Sequence, residues 1–408
     1  MAVGKAVLPK LHSVAGIRLA TVSAGIKTPG RADMVLIEVV EDATCAAVFT
    51  QNAFCAAPVV VAKAHLQQCG ARVRYLLVNT GNANAGTGKQ GLEAALACTA
   101  AVADFANVTP CKVLPFSTGV IGEPLPVDKI VSAVPSAFAG LRQDGWADAA
   151  SGILTTDTRP KAASVKFSHE GQEFVVTGIA KGAGMIRPNM ATMLAYLATD
   201  VAVEGAALQY VLANAVETTF NRITIDGDTS TNDACVLLAT GQAGNSPLSD
   251  ITSELGCSLS NAVEEVCLAL AQGLVKDGEG ATKFVSVRVN GGACEQECLD
   301  VAFTISHSPL VKTALFASDP NWGRLLAAIG RAGVPDLNVE KIGVYLNDTL
   351  IAENGCRAES YTEDLGVIAM APEEIEIRIE LNRGPSTAIV WTSDFSYDYV
   401  RINAEYRS

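Results

Sequence analysis

The chain contains no apolar run of the roughly eighteen residues that a membrane-spanning helix requires. Met1–Ala20 holds two lysines but no sustained apolar stretch, so no signal peptide is expected there. Positive charge is in deficit. Thirty Lys+Arg face 43 Asp+Glu, a net charge of −13, and nucleic acid is not expected as a partner because phosphate binding needs a basic face. Histidine is scarce, and His12, His65, His169 and His307 have no convergent spacing. The eleven cysteines are odd in number and scattered, with only Cys294 and Cys298 close together. No Cys/His group has zinc-finger spacing, so the reading is a reduced, cytoplasmic chain without a structural metal.

What is present is an ordinary globular composition over 408 residues, 49 % hydrophobic and with 35 glycines, long enough for two or three domains. Charge is unevenly placed: residues up to Ala191 carry 17 basic and 13 acidic side chains (+4), and those from Thr192 onward carry 13 and 30 (−17). A solvated acidic surface explains this, as does attraction between the halves or an acidic reception for a cationic substrate; charge alone does not choose. Val/Ile/Leu/Phe-rich runs predict strands at Met34–Val40, Tyr75–Val78, Lys112–Phe116 and Phe174–Ile179, then at Cys235–Ala239, Lys283–Val289, Ile342–Leu346, Glu374–Leu381 and Ala388–Thr392. Helical spacing of apolar residues marks Gly91–Phe105, Val127–Phe138, Ala206–Val216 and Leu259–Leu274. The mixture predicts a layered α/β or α+β architecture. Several strands follow one another without a helix, so a doubly wound sheet is not expected, and no linker marks a domain boundary.

Asn79–Gly91 (NTGNANAGTGKQG) spells G-x-G-x-x-G at Gly86, Gly88 and Gly91, between a strand and a helix as a dinucleotide site would. The predicted strand ends near Asn79, however, leaving about seven residues where the fingerprint wants an immediate turn. The acidic residue expected further on would be Asp104, which falls on the helix. A Walker A reading fails because Gln90 follows Gly88-Lys89 and Ala83 occupies the first glycine position. A tight Asn/Gly loop packed near a functional site is favoured over a dinucleotide-binding protein using Gly86–Gly91.

Ala180–Asp200 (AKGAGMIRPNMATMLAYLATD) reads as a strand, a glycine-rich turn, Pro188 and a short apolar run. Gly182 and Gly184 permit positive φ, and Pro188 disfavours helix before it. An Ala-Thr dipeptide is uninformative by itself, since Ala20-Thr21, Ala43-Thr44 and Ala239-Thr240 also occur. The run Lys181–Leu194 (KGAGMIRPNMATML) resembles the self-cleavage segment of the ornithine acetyltransferase family, the bifunctional glutamate N-acetyltransferases of arginine biosynthesis. Phe116–Gly122 (FSTGVIG) resembles the family's oxyanion-hole segment, Leu154–Thr158 (LTTDT) a substrate-contacting one, Lys276–Lys283 (KDGEGATK) an acidic-ligand segment, and Asn403–Ser408 (NAEYRS) the C-terminal substrate contacts. Some relatives end in Thr where this chain has Ser408; either supplies a hydroxyl.

The resemblance covers essentially the whole chain and implies cleavage between Ala191 and Thr192, giving fragments 1–191 and 192–408 intertwined in one fold. That fold is expected to layer sheets between helices, with an N-terminal-nucleophile-type site. A chain-internal threonine is a weak nucleophile. Once freed, Thr192 would carry an α-amine of ordinary pKa about 7.7–8.0, able to serve as its own general base. Lys181 nearby would lower that value by like-charge repulsion. Thr118 and Gly119 would donate to the oxyanion, where losing one donor costs about 3–4 kcal/mol of transition-state stabilisation. Thr155, Lys181, Glu279, Asn403 and Ser408 would bind substrate, with Glu279 facing the ornithine ammonium.

The implied reaction is ping-pong: N-acetylornithine acetylates Thr192, ornithine leaves, and glutamate takes the acetyl group. Some members also accept acetyl-CoA as a co-substrate; no metal or nucleotide cofactor is implied. The expected assembly has two copies of each fragment. The alternative is a self-processing hydrolase resembling the β-peptidyl aminopeptidases, which would release product to water.

Overall fold

The computed structural model describes residues 2–5, 7–187 and 193–405. Two sheets stack at its centre. The first has four strands in the order Ile17–Val22, Met34–Val39, Tyr75–Asn82 and Val113–Val120. Its first three strands are antiparallel neighbours, and the last pair is parallel, joined through the helix Gly88–Ala106. The run Met34–Val39 is almost wholly apolar because both faces of its sheet are covered. Val35, Ile37 and Val39 enter one core, whereas Met34 and Leu36 enter another with Val102 and Ile130, as the period-two alternation of side chains requires.

The second sheet runs Thr44–Phe49, Ala234–Ala239, Leu194–Thr199, Gln172–Lys181 and Lys161–His169. The two strands from beyond residue 191 are therefore enclosed, in one hydrogen-bonded layer, by strands from before it. Leu194–Thr199 pairs parallel with Ala234–Ala239 and antiparallel with Gln172–Lys181, and every residue of the first two is buried. Tyr196, Ala198 and Val236 face the first sheet, where Tyr196 meets Phe116 edge-on at 5.3 Å between ring centroids. Ala195, Leu197 and Leu237 face the helices Gly205–Thr218 and Glu254–Lys276. The layers are thus helix, sheet, sheet, helix, as expected from the sequence.

A third sheet of seven strands has its own core. Its central members, Gly343–Leu346, Glu374–Glu380, Phe284–Gly292 and Ser386–Ser393, pack against the helices Glu295–Ser306, Pro309–Phe316 and Trp322–Gly330. No linker composition marks this boundary, because the joint at Thr282-Lys283 is tied down by hydrogen bonds. Asp394 accepts both backbone N–H groups there, at 2.8 and 2.9 Å.

The predicted strand Tyr75–Val78 continues to Asn82 through a register shift at Gly81, and Lys112–Phe116 begins as a short turn before the strand Val113–Val120. Strands such as Ile17–Val22 and Lys161–His169, and helices such as Ala57–Gln68 and Trp322–Gly330, were not predicted. All eleven cysteines are free thiols. Among the described residues, no helix is long and apolar enough to cross a membrane, and no group of three His, Cys, Asp or Glu side chains is placed to hold a metal ion.

Candidate active site

Six of the residues singled out in the sequence line one cavity of about 300 Å³: Thr118, Gly119, Thr155, Lys181, Glu279 and Asn403. Ala191, Thr192 and Ser408 lie outside the described residues, as does Pro188. The carbonyl of Met193 accepts a hydrogen bond from the Ala234 amide at 3.0 Å.

Thr118 and Gly119 stand near the end of the strand Val113–Val120, where it crosses the irregular end of Tyr75–Asn82. Gly119 has φ +136°, and a Cβ there would come within 2.3 Å of the Gly81 carbonyl carbon, so no larger residue fits. The segment is pinned from behind. Ser117 Oγ donates to Asn79 Oδ1 at 2.6 Å, and Asn232 Nδ2 donates to the carbonyls of Ser117 (2.9 Å) and Ala83 (2.6 Å). Lys181, ending the strand Gln172–Lys181, donates from Nζ to Thr118 Oγ1 at 2.8 Å.

Burial lowers the Lys181 pKa and nearby Lys161 lowers it further, while Asp157, Asp233 and Glu279 oppose the shift. Asp157 opposes it most strongly. Burial alone would raise its carboxyl, but Lys161 and Lys181 hold it well below the usual carboxylate range. That carboxylate also accepts the amides of Gly182 (2.7 Å) and Thr155 (3.0 Å), fixing both segments beside the cavity. Lys161 in turn bonds Asp157 and lies 2.6 Å from Asp277, all three side chains being buried. Glu279 is buried, accepts from Asn403 Nδ2 at 2.8 Å, and is held by its own amide on the Ala183 carbonyl at 2.8 Å.

The turn at residues 182–186 is shaped otherwise than expected. Gly182 has positive φ (+152°), but Gly184 does not; the left-handed residue is Met185, at φ +55°. Gly184 is required instead by close approach, since a Cβ would stand 2.6 Å from Glu279 Oε2. Asp226 accepts the amides of Met185 (2.6 Å) and Ile186 (2.8 Å), which holds the left-handed turn in place. Burial raises the Asp226 carboxyl against the pull of those amides.

Sequence reasoning missed Asp157, Asp226, Asn232 and Asp233. Three of them fall in Ile223–Ala234 (ITIDGDTSTNDA), whose density of Asp, Asn and Thr between two buried strands was the available signal. Asp233 is 3 % exposed, and its Oδ2 has no hydrogen-bond partner. Burial pushes that carboxyl well above its ordinary value, despite the Ser230 hydroxyl and the Lys181 ammonium. The Gly86–Gly91 loop is structural, as favoured from the sequence. Asn84 Nδ2 donates to the Gly91 carbonyl at 2.9 Å, and a Cβ on Gly91 would strike Thr87 Oγ1 at 1.9 Å.

A family model described as the ArgJ family matches residues 18–408. The arginine biosynthesis bifunctional protein ArgJ of Pseudomonas fluorescens is 58 % identical over 408 residues, covering all of both chains. The crystal structure of the arginine biosynthesis bifunctional protein ArgJ of Bacillus halodurans is 38 % identical with a TM-score of 0.50, covering 52 % of this chain and 100 % of that one. Ornithine acetyltransferase of Mycobacterium tuberculosis, solved in complex with ornithine, is 34 % identical with a TM-score of 0.37, covering 44 % of this chain and 93 % of that one.

Proposed function

The chain belongs to the ArgJ family, and from that premise we propose that it works by severing its own Ala191–Thr192 bond and carrying acetyl on Thr192. It is an acetyltransferase of arginine biosynthesis that acts on small molecules. In the proposed processing step, Thr192 Oγ attacks the Ala191 carbonyl carbon and the peptide C–N bond breaks as the nitrogen takes up a proton. Water then hydrolyses the resulting ester. The new α-amine accepts the proton of its own hydroxyl as Oγ attacks the acetyl carbonyl of N-acetylornithine, and returns it to the departing ornithine nitrogen. Glutamate's neutral amine attacks the acetyl ester, and the proton it loses ends on Thr192 Oγ.

Both reactions pass through an oxyanion, which needs donors already aimed at it. Thr118 and Gly119 are proposed for that role, with Lys181 polarising the Thr118 hydroxyl. Glu279 would receive the ornithine ammonium, and the hydroxyl and amide donors of Thr155, Asn403 and Ser408 the substrate carboxylates. The bifunctional name of the relatives supports acetyl-CoA as a second donor to the same hydroxyl. A pair of each fragment, 1–191 and 192–408, and a cytoplasmic location complete the reading on the family resemblance.

The observation that carries the reading is the cavity itself, which brings together six residues far apart in sequence, with Lys181 Nζ 2.8 Å from Thr118 Oγ1. The size relation to the Bacillus halodurans chain, matched in full by about half of this one, also suits a fragment. The test is a denaturing gel with N-terminal sequencing, and acetyl transfer assayed with and without glutamate. Two bands, a fragment beginning Thr-Met-Leu, and glutamate-dependent ornithine release are expected, and Thr192→Ala should lose all three. An active enzyme with an intact chain would overturn the reading; ornithine release equally fast without glutamate would make the protein a hydrolase.

A further inference from the structure

A second cavity, of about 180 Å³, abuts the first and shares with it Gly119, Val120, Thr155 and Thr156. The chemistry described above leaves it unused. Its outer wall is the loop between the strands Ile17–Val22 and Met34–Val39, which contributes Lys27 and Arg31. The loop is firmly built. Asp33 accepts the amides of Ala24 and Ile26, each at 2.6 Å, and Lys129 Nζ donates to the Gly25 carbonyl at 2.6 Å. Arg31 donates to the carbonyls of Leu154 (2.9 Å) and Thr155 (3.3 Å), tying the loop to a wall of the catalytic cavity. Lys27 lies over Gly81, whose missing Cβ would come 3.0 Å from Lys27 Cβ.

The charges of this wall identify the chemistry it would take. Neither Lys27 nor Arg31 forms an ion pair among the described residues. The one acid lining the cavity among the described residues, Asp33, is 3 % exposed with its oxygens engaged by backbone N–H groups. The two cations stand in one wall of the cavity, a local positive patch that suits an anion although the whole molecule is acidic. An amino-acid donor needs only the first cavity. A thioester donor carrying phosphates is far larger, and its tail must leave that cavity by an adjoining route.

We propose that the cavity walled by Lys27 and Arg31 receives the phosphate-bearing tail of an acyl thioester while its acetyl group reaches the catalytic cavity past Gly119 and Thr155. The inference rests on the acetyl-Thr192 reading. In the transfer step the acetyl C–S bond breaks and the acetyl–Oγ bond forms; the hydroxyl proton passes through the α-amine to the departing thiolate. Selectivity between the two donors then lies in this second compartment, because only the thioester fills it.

The test compares processed wild-type enzyme with Lys27→Glu, using Lys341→Glu, in the turn before the strand Gly343–Leu346 of the third sheet, as a charge-matched control. Lys27→Glu is expected to raise KM for acetyl-CoA about tenfold, as loss of a steering charge does, and to leave KM for N-acetylornithine within about twofold. Arg31→Lys, which keeps the charge, should retain most acetyl-CoA use. Coenzyme A alone should bind wild type in titration calorimetry and bind Lys27→Glu more weakly, with affinity falling as salt screens the contact. An unchanged KM for acetyl-CoA in Lys27→Glu, or an equal rise for both donors, overturns the assignment while leaving acetyl transfer from N-acetylornithine intact. Wild type that uses N-acetylornithine but neither binds coenzyme A nor accepts acetyl-CoA overturns the second-donor reading together with this one.

Discussion

At the scale of single residues, the site depends on which buried charges have partners. Lys181 donates to the Thr118 hydroxyl, and burying its ammonium is tolerable because the ionised Asp157 carboxylate attracts it. Lys181→Met removes a charge aimed at the proposed oxyanion donor but leaves Asp157 paired with Lys161. The folded protein is therefore expected to survive while kcat falls, by no more than the about 10²–10³ that removing an oxyanion donor outright costs, as steady-state assays of the processed enzyme would measure. Asp233 behaves oppositely. Its folded pKa lies well above the ordinary carboxylate value, so the folded state holds a proton that the unfolded state has released. Its contribution to stability is present below about pH 4 and is lost as pH rises through the folded value. Asp233→Asn keeps the shape and removes the titration. Its melting temperature relative to wild type is expected to be higher at pH 8 than at pH 4, which scanning calorimetry would show; a parallel shift at both pH values would contradict it. Neither acid was legible in the sequence, because an aspartate reveals its partners only when the chain brings them together. Glu279 and Asn403 were found through motif resemblance, not through any property visible in the residues alone.

At the scale of elements, glycine separates two kinds of constraint. Gly119→Ala meets both a left-handed φ and a 2.3 Å clash with the Gly81 carbonyl carbon, part of the backbone of the neighbouring strand. It is expected to destabilise the sheet end by more than the roughly 1 kcal/mol of an ordinary glycine replacement, with soluble yield and urea midpoint both falling. Gly184→Ala meets an ordinary φ and a side-chain carboxylate, so the protein should fold with Glu279 displaced. Its signature is a raised KM for N-acetylornithine with a nearly unchanged urea midpoint. The sequence signalled turns at both places but not which constraint applied, since φ and close approach leave the same letter. Strands such as Met34–Val39 and Ala234–Ala239 were readable because they are apolar throughout. Lys161–His169 escaped because it is an edge strand with alternating exposure and three basic residues. The short helices Pro309–Phe316 and Trp322–Gly330 escaped because too few turns are present to establish a period.

At the scale of the whole molecule, the position of residue 191 matters more than any domain boundary. Leu194–Thr199 is sandwiched between Ala234–Ala239, from its own side of that position, and Gln172–Lys181, from the other. Thr44–Phe49, from the first side, pairs with Ala234–Ala239 at the sheet edge. Neither side can therefore complete this sheet or bury its apolar faces alone. Two forces could keep severed fragments together: the opposed net charges, +4 and −17, and the shared core. Surface charge is screened beyond about 8–10 Å at ordinary salt, whereas burial contributes about 25 cal/mol per Å² of apolar surface over entire strands. The core dominates. Fragments 1–191 and 192–408 are accordingly expected to co-purify through 1 M salt, about a 3 Å screening length, and to separate only in denaturant, with one cooperative transition for the layered core. Either fragment expressed alone should lack that transition and expose apolar surface to a hydrophobic dye. Separation of folded fragments by salt alone would instead assign their cohesion to charge, and would contradict a sheet in which strands from beyond residue 191 are flanked on both sides by strands from before it.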